Sequence, residues 1–463
     1  MDTLKAPKSG LWPFLLSISF LSFLHGQTPG KKPNLIFLVT DDHRWDALGF
    51  AGNALIRTPE MDRLAAEGVY FRNAFSSSPI CAASRASILT GQYERSHGYT
   101  FRQPPLSDAL ARTMYPAILK ENGYRVGFFG KLGVEMANPG QYFHEFDSYD
   151  RGNYPDRRGY FYKKIGQDTV HLTHFSGYQA RQFLRETGEN QPFCLSVFFS
   201  APHGHDPSTQ QYFWEKASDP FYRDLRFPEP LLGDSMYFHR LPEAVKTGFN
   251  RTRWYWRFDT PEKYQEMLRG YYRMITDIDR EIGQLRKTLE ETGLAENTII
   301  ILMGDNGYFT GDRQLADKWL MYEPAIRIPL IFFDPRSRGG FQVEDMVLNL
   351  DIPGTILDLA GLQIPANYQG KSLKPLVNNR RRHLKRKEIL IEHLWRFDEI
   401  PASEGIRTKH WKYFRYRHIQ APEELYHLAV DPLETSNLAL VARYGKKLMR
   451  LRTRFDRLAR NQR

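Results

Sequence analysis

Asn34-Leu-Ile-Phe-Leu-Val39-Thr40-Asp41-Asp42 is the stretch from which this chain is read. Five consecutive large apolar residues, closed by polar ones, are too few for a helix. They suit a strand buried on both faces. Similar runs recur at Tyr124-Arg-Val-Gly-Phe-Phe129, 192–200, 297–303 and Ile328-Pro-Leu-Ile-Phe-Phe333. Helix-like segments lie between them. One opens at Thr58-Pro59-Glu60, with Thr58 as N-cap and Pro59 in the first turn. A second lies near 114–122 and stops at Gly123, and a third runs from about 260 to 293 behind Thr260-Pro261. Strands alternating with helices predict an α/β fold with a mainly parallel central sheet sandwiched by helices.

Outward from this core the texture changes twice. The stretch 202–258 is aromatic, proline-rich and poorly periodic, which reads as a long surface excursion of the kind that shapes substrate sites. Beyond a short helix ending at Gly361, short alternating runs at 388–393 and 411–416 and a polar closing helix predict a smaller C-terminal α+β domain with an antiparallel sheet. At the other end, Lys5 and Lys8 precede an apolar stretch at 11–24, the pattern of an export signal and too short for a comfortable membrane span. The predicted division is a signal peptide at 1–26, a catalytic domain at 27–364 and a C-terminal subdomain at 365–463, with the mature chain periplasmic or extracellular and without an integral membrane domain.

The chain has 463 residues and a net charge of +11, so polyanions are its natural partners. No zinc-finger spacing, aromatic RNA-binding signature or basic heptad region is present, which argues against nucleic acid. An acidic polysaccharide fits the charge as well. The basic run Arg380-Arg-Arg-His-Leu-Lys-Arg-Lys387 reads as solvated surface. Aromatic clusters such as Trp254-Tyr255-Trp256 are suited to stacking on sugar rings as well as to packing. Of the two cysteines, Cys194 sits inside the 192–200 run and reads as a small buried hydrophobe.

Ligands of open α/β sheets bind beyond the carboxyl ends of the strands. There the chain places Asp41-Asp42, Gly130-Lys131, Ala201-Pro202-His203 and Gly304-Asp305-Asn306-Gly307. Each is unremarkable alone, since Asp and Asn are common turn formers. Together they bring three carboxylates, an amide, a lysine and a histidine to one sheet edge. Asp41, Asp42, Asp305 and Asn306 offer hard oxygens, which suit Ca2+ or Mg2+. Lys131, Arg85 and Lys318 would then surround a bound anion, and His203 would give a proton to a leaving alcohol.

Cys81-Ala-Ala-Ser-Arg85-Ala-Ser-Ile-Leu-Thr-Gly91 adds a thiol at a helix start with an arginine one turn on. A helix N-terminus draws anions and favours a thiolate. This run resembles the signature of the type I, formylglycine-dependent sulfatases of the alkaline phosphatase superfamily. Thr40-Asp-Asp42, Gly304-Asp-Asn-Gly307, Ala201-Pro-His203, Ala316-Asp-Lys318 and the 57–68 and 424–438 segments resemble further family motifs. The resemblance implies an alkaline-phosphatase-like fold and hydrolysis of sulfate esters. It implies oxidation of Cys81 to formylglycine, with a formylglycine-generating or an anaerobic sulfatase-maturating enzyme as partner. Asp41, Asp42, Cys81, Asp305 and Asn306 would hold the divalent cation. Cys81, Arg85, Lys131, His203 and Lys318 would carry the chemistry.

Two departures stand out. Many members have Gly-Lys-x-His where this chain has Gly130-Lys131-Leu132-Gly133, leaving His97 or His205 as candidates to take over the missing role. Ala83 stands where many members have Pro. The expected substrate is a sulfated carbohydrate, with Arg407, His410, His393 and the 204–258 excursion as candidate readers of the sugar. The competing readings are a phosphomonoesterase or phosphodiesterase of the same superfamily, and a catalytically weak binder of sulfated glycans.

Overall fold

The computed structural model describes residues 1–3, 31–101, 103–149, 161–188, 190–206, 210–395, 397 and 399–462. The expected signal peptide lies, apart from its first three residues, outside them. Among the described residues no helix is long and apolar enough to cross a membrane. Lys32–Arg463 pack as one unit.

The chain opens with β1 (Asn34–Thr40), α1 (Pro59–Glu67), β2 (Val69–Phe75) and α2 (Cys81–Thr90). Next come α3 (Glu94–His97), α4 (Tyr115–Glu121), β3 (Arg125–Gly130) and β4 (Glu145–Ser148). A small hairpin, β5 (Tyr162–Ile165) with β6 (Asp168–His171), leads into α5 (Leu172–Arg185) and β7 (Phe193–Phe198). The excursion that follows is not irregular throughout. It holds short helices, among them α6 (Phe249–Arg257), and runs into the long α7 (Pro261–Glu291). Then come β8 (Thr298–Gly304), the short ladder of β9 (Phe309–Thr310) with β10 (Ala316–Asp317), and α8 (Glu323–Ile326). β11 (Leu330–Phe333), β12 (Phe341–Leu348) and α9 (Ile352–Leu359) complete the larger part. The C-terminal sheet is β13 (Glu388–His393), β14 (Ser403–Thr408), β15 (Lys412–Tyr416) and β16 (Glu424–Tyr426), followed by α10 (Gly445–Asn461).

The main sheet has eight strands in the order β12-β2-β11-β8-β1-β7-β3-β4. Only β11 runs against its neighbours, β8 and β2. The fold is therefore α/β with a mainly parallel sheet, and the C-terminal sheet is antiparallel throughout. Both faces of the main sheet are buried at its centre, as the continuous apolar run of β1 requires. Leu35, Phe37 and Val39 point into one core with α2, α4 and α9. Ile36 and Leu38 point into the other with α1, α5 and α7.

Local signals explain most element ends, with one correction. Thr260 caps α7 through a hydrogen bond from the Lys263 amide, 3.2 Å. Thr58 is the N-cap residue of α1, but its hydroxyl caps nothing. It donates to Asp62 at 3.1 Å and accepts from the Gly49 amide at 2.9 Å, tying the preceding turn to the helix. Cys194 is buried in β7 and both cysteines are free. In the basic run, Arg380 and Arg381 are exposed, but Arg386 is half-buried and pairs with Asp351 through two 2.6 Å contacts.

Candidate active site

Four adjacent parallel strands, β8-β1-β7-β3, end together. Their ladders continue one step past the strands. Asp305 N donates to Thr40 O at 2.9 Å, Asp41 N to Ala201 O at 3.0 Å and Lys131 N to Phe198 O at 2.8 Å. The side chains that follow each strand are thereby locked in register. Gly130 is needed for this closeness: a Cβ there would lie 2.2 Å from Phe198 O.

Asp41, Asp42, Asp305 and Asn306 meet at this edge, each fully buried. Asp42 Oδ1 accepts from Asn306 Nδ2 at 2.7 Å and from Lys318 Nζ. Asp305 Oδ1 accepts from the amides of Asn306 and Asp42, and its Oδ2 from Arg85 Nε at 2.8 Å. Lys131 Nζ pairs with Asp41 Oδ2, which also lies 3.5 Å from Arg85 Nη2. His203 follows the cis Ala201–Pro202 bond and sets Nε2 3.5 Å from Asp42 Oδ2. The nine residues expected to hold the cation or carry the chemistry belong to this one neighbourhood, with Cys81, Lys131, His203 and Lys318 lining one cavity of about 790 Å³.

The electrostatics show what the cluster lacks. Three aspartates face three cationic side chains, Arg85, Lys131 and Lys318, so the formal charges balance. Burial, even against the pull of Lys318, still pushes the Asp42 carboxyl up to about 7. Burial and then Asp41 raise Asp305 as well. The Asp42 Oδ2 and Asn306 Oδ1 atoms are buried and accept no hydrogen bond. Asp41, Asp42 and His203 each offer an atom within 4.8 Å of the others. Carboxylates whose charge burial disfavours even beside three cations, and oxygen acceptors without donors, fit a hard divalent cation.

Cys81 is the first residue of α2 and is 6% exposed. The rest of the helix explains its signature. Arg85, four residues on, is fully buried, with Nε on Asp305 and Nη1 donating to Lys131 O. Ser84 donates to Asp305 O at 2.5 Å and accepts from Asn349 Nδ2 at 2.8 Å. The Ser-Arg pair thus fastens the start of α2 to the end of β8.

The rest of the cavity is largely apolar. Tyr99, Phe101, Pro105, Leu132, Val134, Met136 and Phe146 line it, with Glu135 as the acidic exception. Arg253 and Trp319 also line it, next to Asp317 and Lys318, with the guanidinium 4.4 Å over the indole ring. Sequence reading missed Arg253. It lies inside the excursion with no motif around it, and only its spacing of four from the buried Arg257 marks a shared helix face.

Several expectations change here. Neither His97 nor His205 lines the cavity. His97 is buried, with Nε2 3.1 Å from Ser87 Oγ and Nδ1 accepting from the Tyr99 amide at 3.1 Å. His205 packs against Phe161 and Phe213. Gly133, where the family histidine would stand, has φ +70°, and a Cβ there would lie 2.9 Å from Arg85 Cδ. The departure thus involves the backbone as well as a side chain. Trp254-Tyr255-Trp256 is also outside the lining, and Arg251 stacks over Trp254 and Tyr255 instead. Arg407 pairs with Glu323, and His393 is fully buried in β13, so neither is presented to the cavity. His410 does not line it either.

Comparison with known proteins gives a consistent result. Residues 33–362 match the family model described as Sulfatase, and residues 311–461 match that of the N-sulphoglucosamine sulphohydrolase C-terminal region. An N-acetylglucosamine-6-O-sulfatase of Bacteroides thetaiotaomicron is 28% identical over 520 aligned positions, covering 96% of this chain and 90% of that one. An arylsulfatase of Clostridium perfringens is 29% identical, covering 91% of this chain and 93% of that one. A protein solved in complex with its substrate D-glucosamine-2-N,6-O-disulfate superposes with a TM-score of 0.78 at 25% identity, covering 93% of this chain and 98% of that one. A phosphonate monoester hydrolase of Agrobacterium radiobacter shares the fold, with a TM-score of 0.76 at 21% identity over 93% and 96% of the two chains.

Proposed function

This chain belongs to the sulfatase family and is a sulfuric ester hydrolase, and from that premise we propose that it removes sulfate from a carbohydrate at the Cys81 end of the cavity. The convergence of four strand ends on Cys81 is the observation that carries the site assignment. The relatives that act on sulfated sugars support the substrate class.

In this reading Asp41, Asp42, Asp305 and Asn306, with the oxidised Cys81, would hold a calcium or magnesium ion. The ion supplies positive charge that draws in the sulfate and stabilises charge on its oxygens. Oxidised to formylglycine, Cys81 would supply a hydrate with two hydroxyls, one to bond to sulfur as the S–O bond to the alcohol breaks and the other to re-form the aldehyde as the C–O bond to sulfate breaks. Lys131 and Lys318 neutralise the sulfate oxygens as the S–O bond to the alcohol breaks. His203, at the cavity wall, protonates the departing alcohol oxygen. Arg85 fixes the first turn of α2 against Asp305 and the Lys131 carbonyl. Residues 27–364 carry this machinery and 365–463 form the C-terminal part. Export rests on the charged and apolar pattern of residues 5–24.

The apolar wall favours a second reading, in which the leaving alcohol is an aryl or similarly apolar group. One experiment separates them. Protein co-produced with a maturation enzyme is checked for the aldehyde by mass spectrometry of the Cys81 peptide. It is then given sulfated mono- and oligosaccharides, an aryl sulfate and a phosphate ester. Sulfate release from a saccharide, lost in Cys81→Ala, supports the proposal. Turnover of the aryl sulfate alone supports the second reading. Phosphate release without sulfate release overturns both.

A further inference from the structure

Asp42 lies in left-handed backbone, φ +67°. That conformation is disfavoured for a residue with a Cβ and persists where its surroundings enforce it. Here one phenol spans the turn. Tyr271, on α7, donates from its hydroxyl to the Asp42 carbonyl oxygen at 2.7 Å and accepts from the Arg44 amide at 2.9 Å. The phenol is itself fixed. Tyr271 is 2% exposed, its ring stacks on Tyr308 at 5.5 Å and 14°, and Tyr212 meets it edge-on at 5.9 Å. On the side chain, Oδ1 of Asp42 is committed to Asn306 and Lys318, whereas Oδ2 accepts no hydrogen bond. Asn306 and Lys318 thus fix one oxygen of the carboxylate, and the backbone turn sets where the carboxylate stands, so both orient Oδ2, which lies 3.5 Å from His203 Nε2.

The geometry points to Tyr271 as a positioning residue: by bridging the Asp42 carbonyl and the Arg44 amide, it holds the turn that presents Asp42 Oδ2 to the cation. This rests on the reading that Asp42 holds a divalent cation. Tyr271 touches neither substrate nor cation in this scheme, so its effect is on affinity for the ion and on turnover. A purely structural tyrosine supplies the contrast. Tyr222 is also buried, accepts from the Arg57 amide at 2.8 Å and pairs with Thr276 on the same helix, α7.

The test uses full-length protein with Ca2+ and Mg2+ titrated separately by calorimetry, together with kcat and KM at saturating cation. Tyr271→Phe keeps the stacked ring and removes the bridge. It is expected to weaken cation binding about tenfold, the scale of two net hydrogen bonds, and to lower kcat with KM unchanged. Tyr222→Phe is expected to bind the cation as the unsubstituted protein does. Unchanged affinity in Tyr271→Phe, or equal loss in both variants, overturns the inference alone. Absence of cation binding in the unsubstituted protein overturns the cation reading and the inference with it. Should Tyr271→Phe not fold, 3,5-difluorotyrosine at 271 keeps the shape and alters the hydroxyl. A change in cation affinity then supports the role, and no change overturns it.

Discussion

Gly133 shows how much one position can conceal. The sequence reveals that a family histidine is missing there. It does not reveal that the backbone is left-handed and that the space of a side chain is filled by the Arg85 stem. Gly133→Ala is expected to lower kcat about tenfold, since left-handed strain of about 1 kcal/mol or more combines with displacement of Arg85. Steady-state turnover of the sulfate ester found in the substrate panel checks this, and wild-type turnover would show that Arg85 has room. Gly133→His is expected to fall further, because an imidazole would have to enter through the same collision. Asp41, Asp42, Lys131, His203, Asp305 and Asn306 were legible because each directly follows an apolar run. Tyr271 and Arg253 were not, since only the placement of helices against the strand ends gives them a role.

At the scale of elements, α3 ties the segment before α2 to the end of β13. Glu94 accepts from Ser78 Oγ at 2.9 Å and from the Leu394 amide at 3.1 Å, fully enclosed. Burial, then the nearby Glu392, pushes its carboxyl from 4.5 up to about 8. The folded protein therefore holds a proton here that the unfolded chain releases above about 4.5. The contribution to stability is complete below that value and is lost as pH rises towards 8. Glu94→Gln, which mimics the protonated acid, is expected to gain over the parent by a few degrees at pH 8.5 and by little at pH 5. Thermal midpoints across that range check it, and parallel curves would exclude the buried proton. The strands divide by the same logic of burial. β1, β7 and β8 are buried along their whole length and read as continuous apolar runs. β2 carries Arg72 and Asn73 outward, β4 is half-buried at a sheet edge, and β12, at the other edge, has an irregularity between Val343 and Met346. Their polar interruptions hid them, because a strand that faces water on one side need not look apolar.

Across the whole molecule, one ionic cluster joins the main sheet to the C-terminal one. Glu323 on α8 pairs with Arg407 of β14 at 3.0 Å and with Lys412 of β15 at 2.8 Å. Burial alone would raise its pKa, but Arg407 and then Lys412 hold it well below the usual carboxylate range. Its contribution is present above about 4.5 and lost in acid as pH falls through the lowered value. Glu323→Gln is expected to cost about 3–5 kcal/mol, as when one partner of a buried pair is removed. Because Phe75 and Leu348 of the main sheet share a core with Ile389 and Phe414 of the smaller one, melting should remain a single transition at a lower midpoint. Two separated transitions in calorimetry would contradict that coupling. The burial of α2 has a consequence in time. All ten of its residues are enclosed, Cys81 included. Under the proposed function, an enzyme that oxidises this thiol has to reach it either before the helix docks or through the cavity that Cys81 lines. Adding a maturation enzyme to the folded thiol form tells the two routes apart: aldehyde formation means entry through the cavity, and none means that modification has to precede docking of the helix.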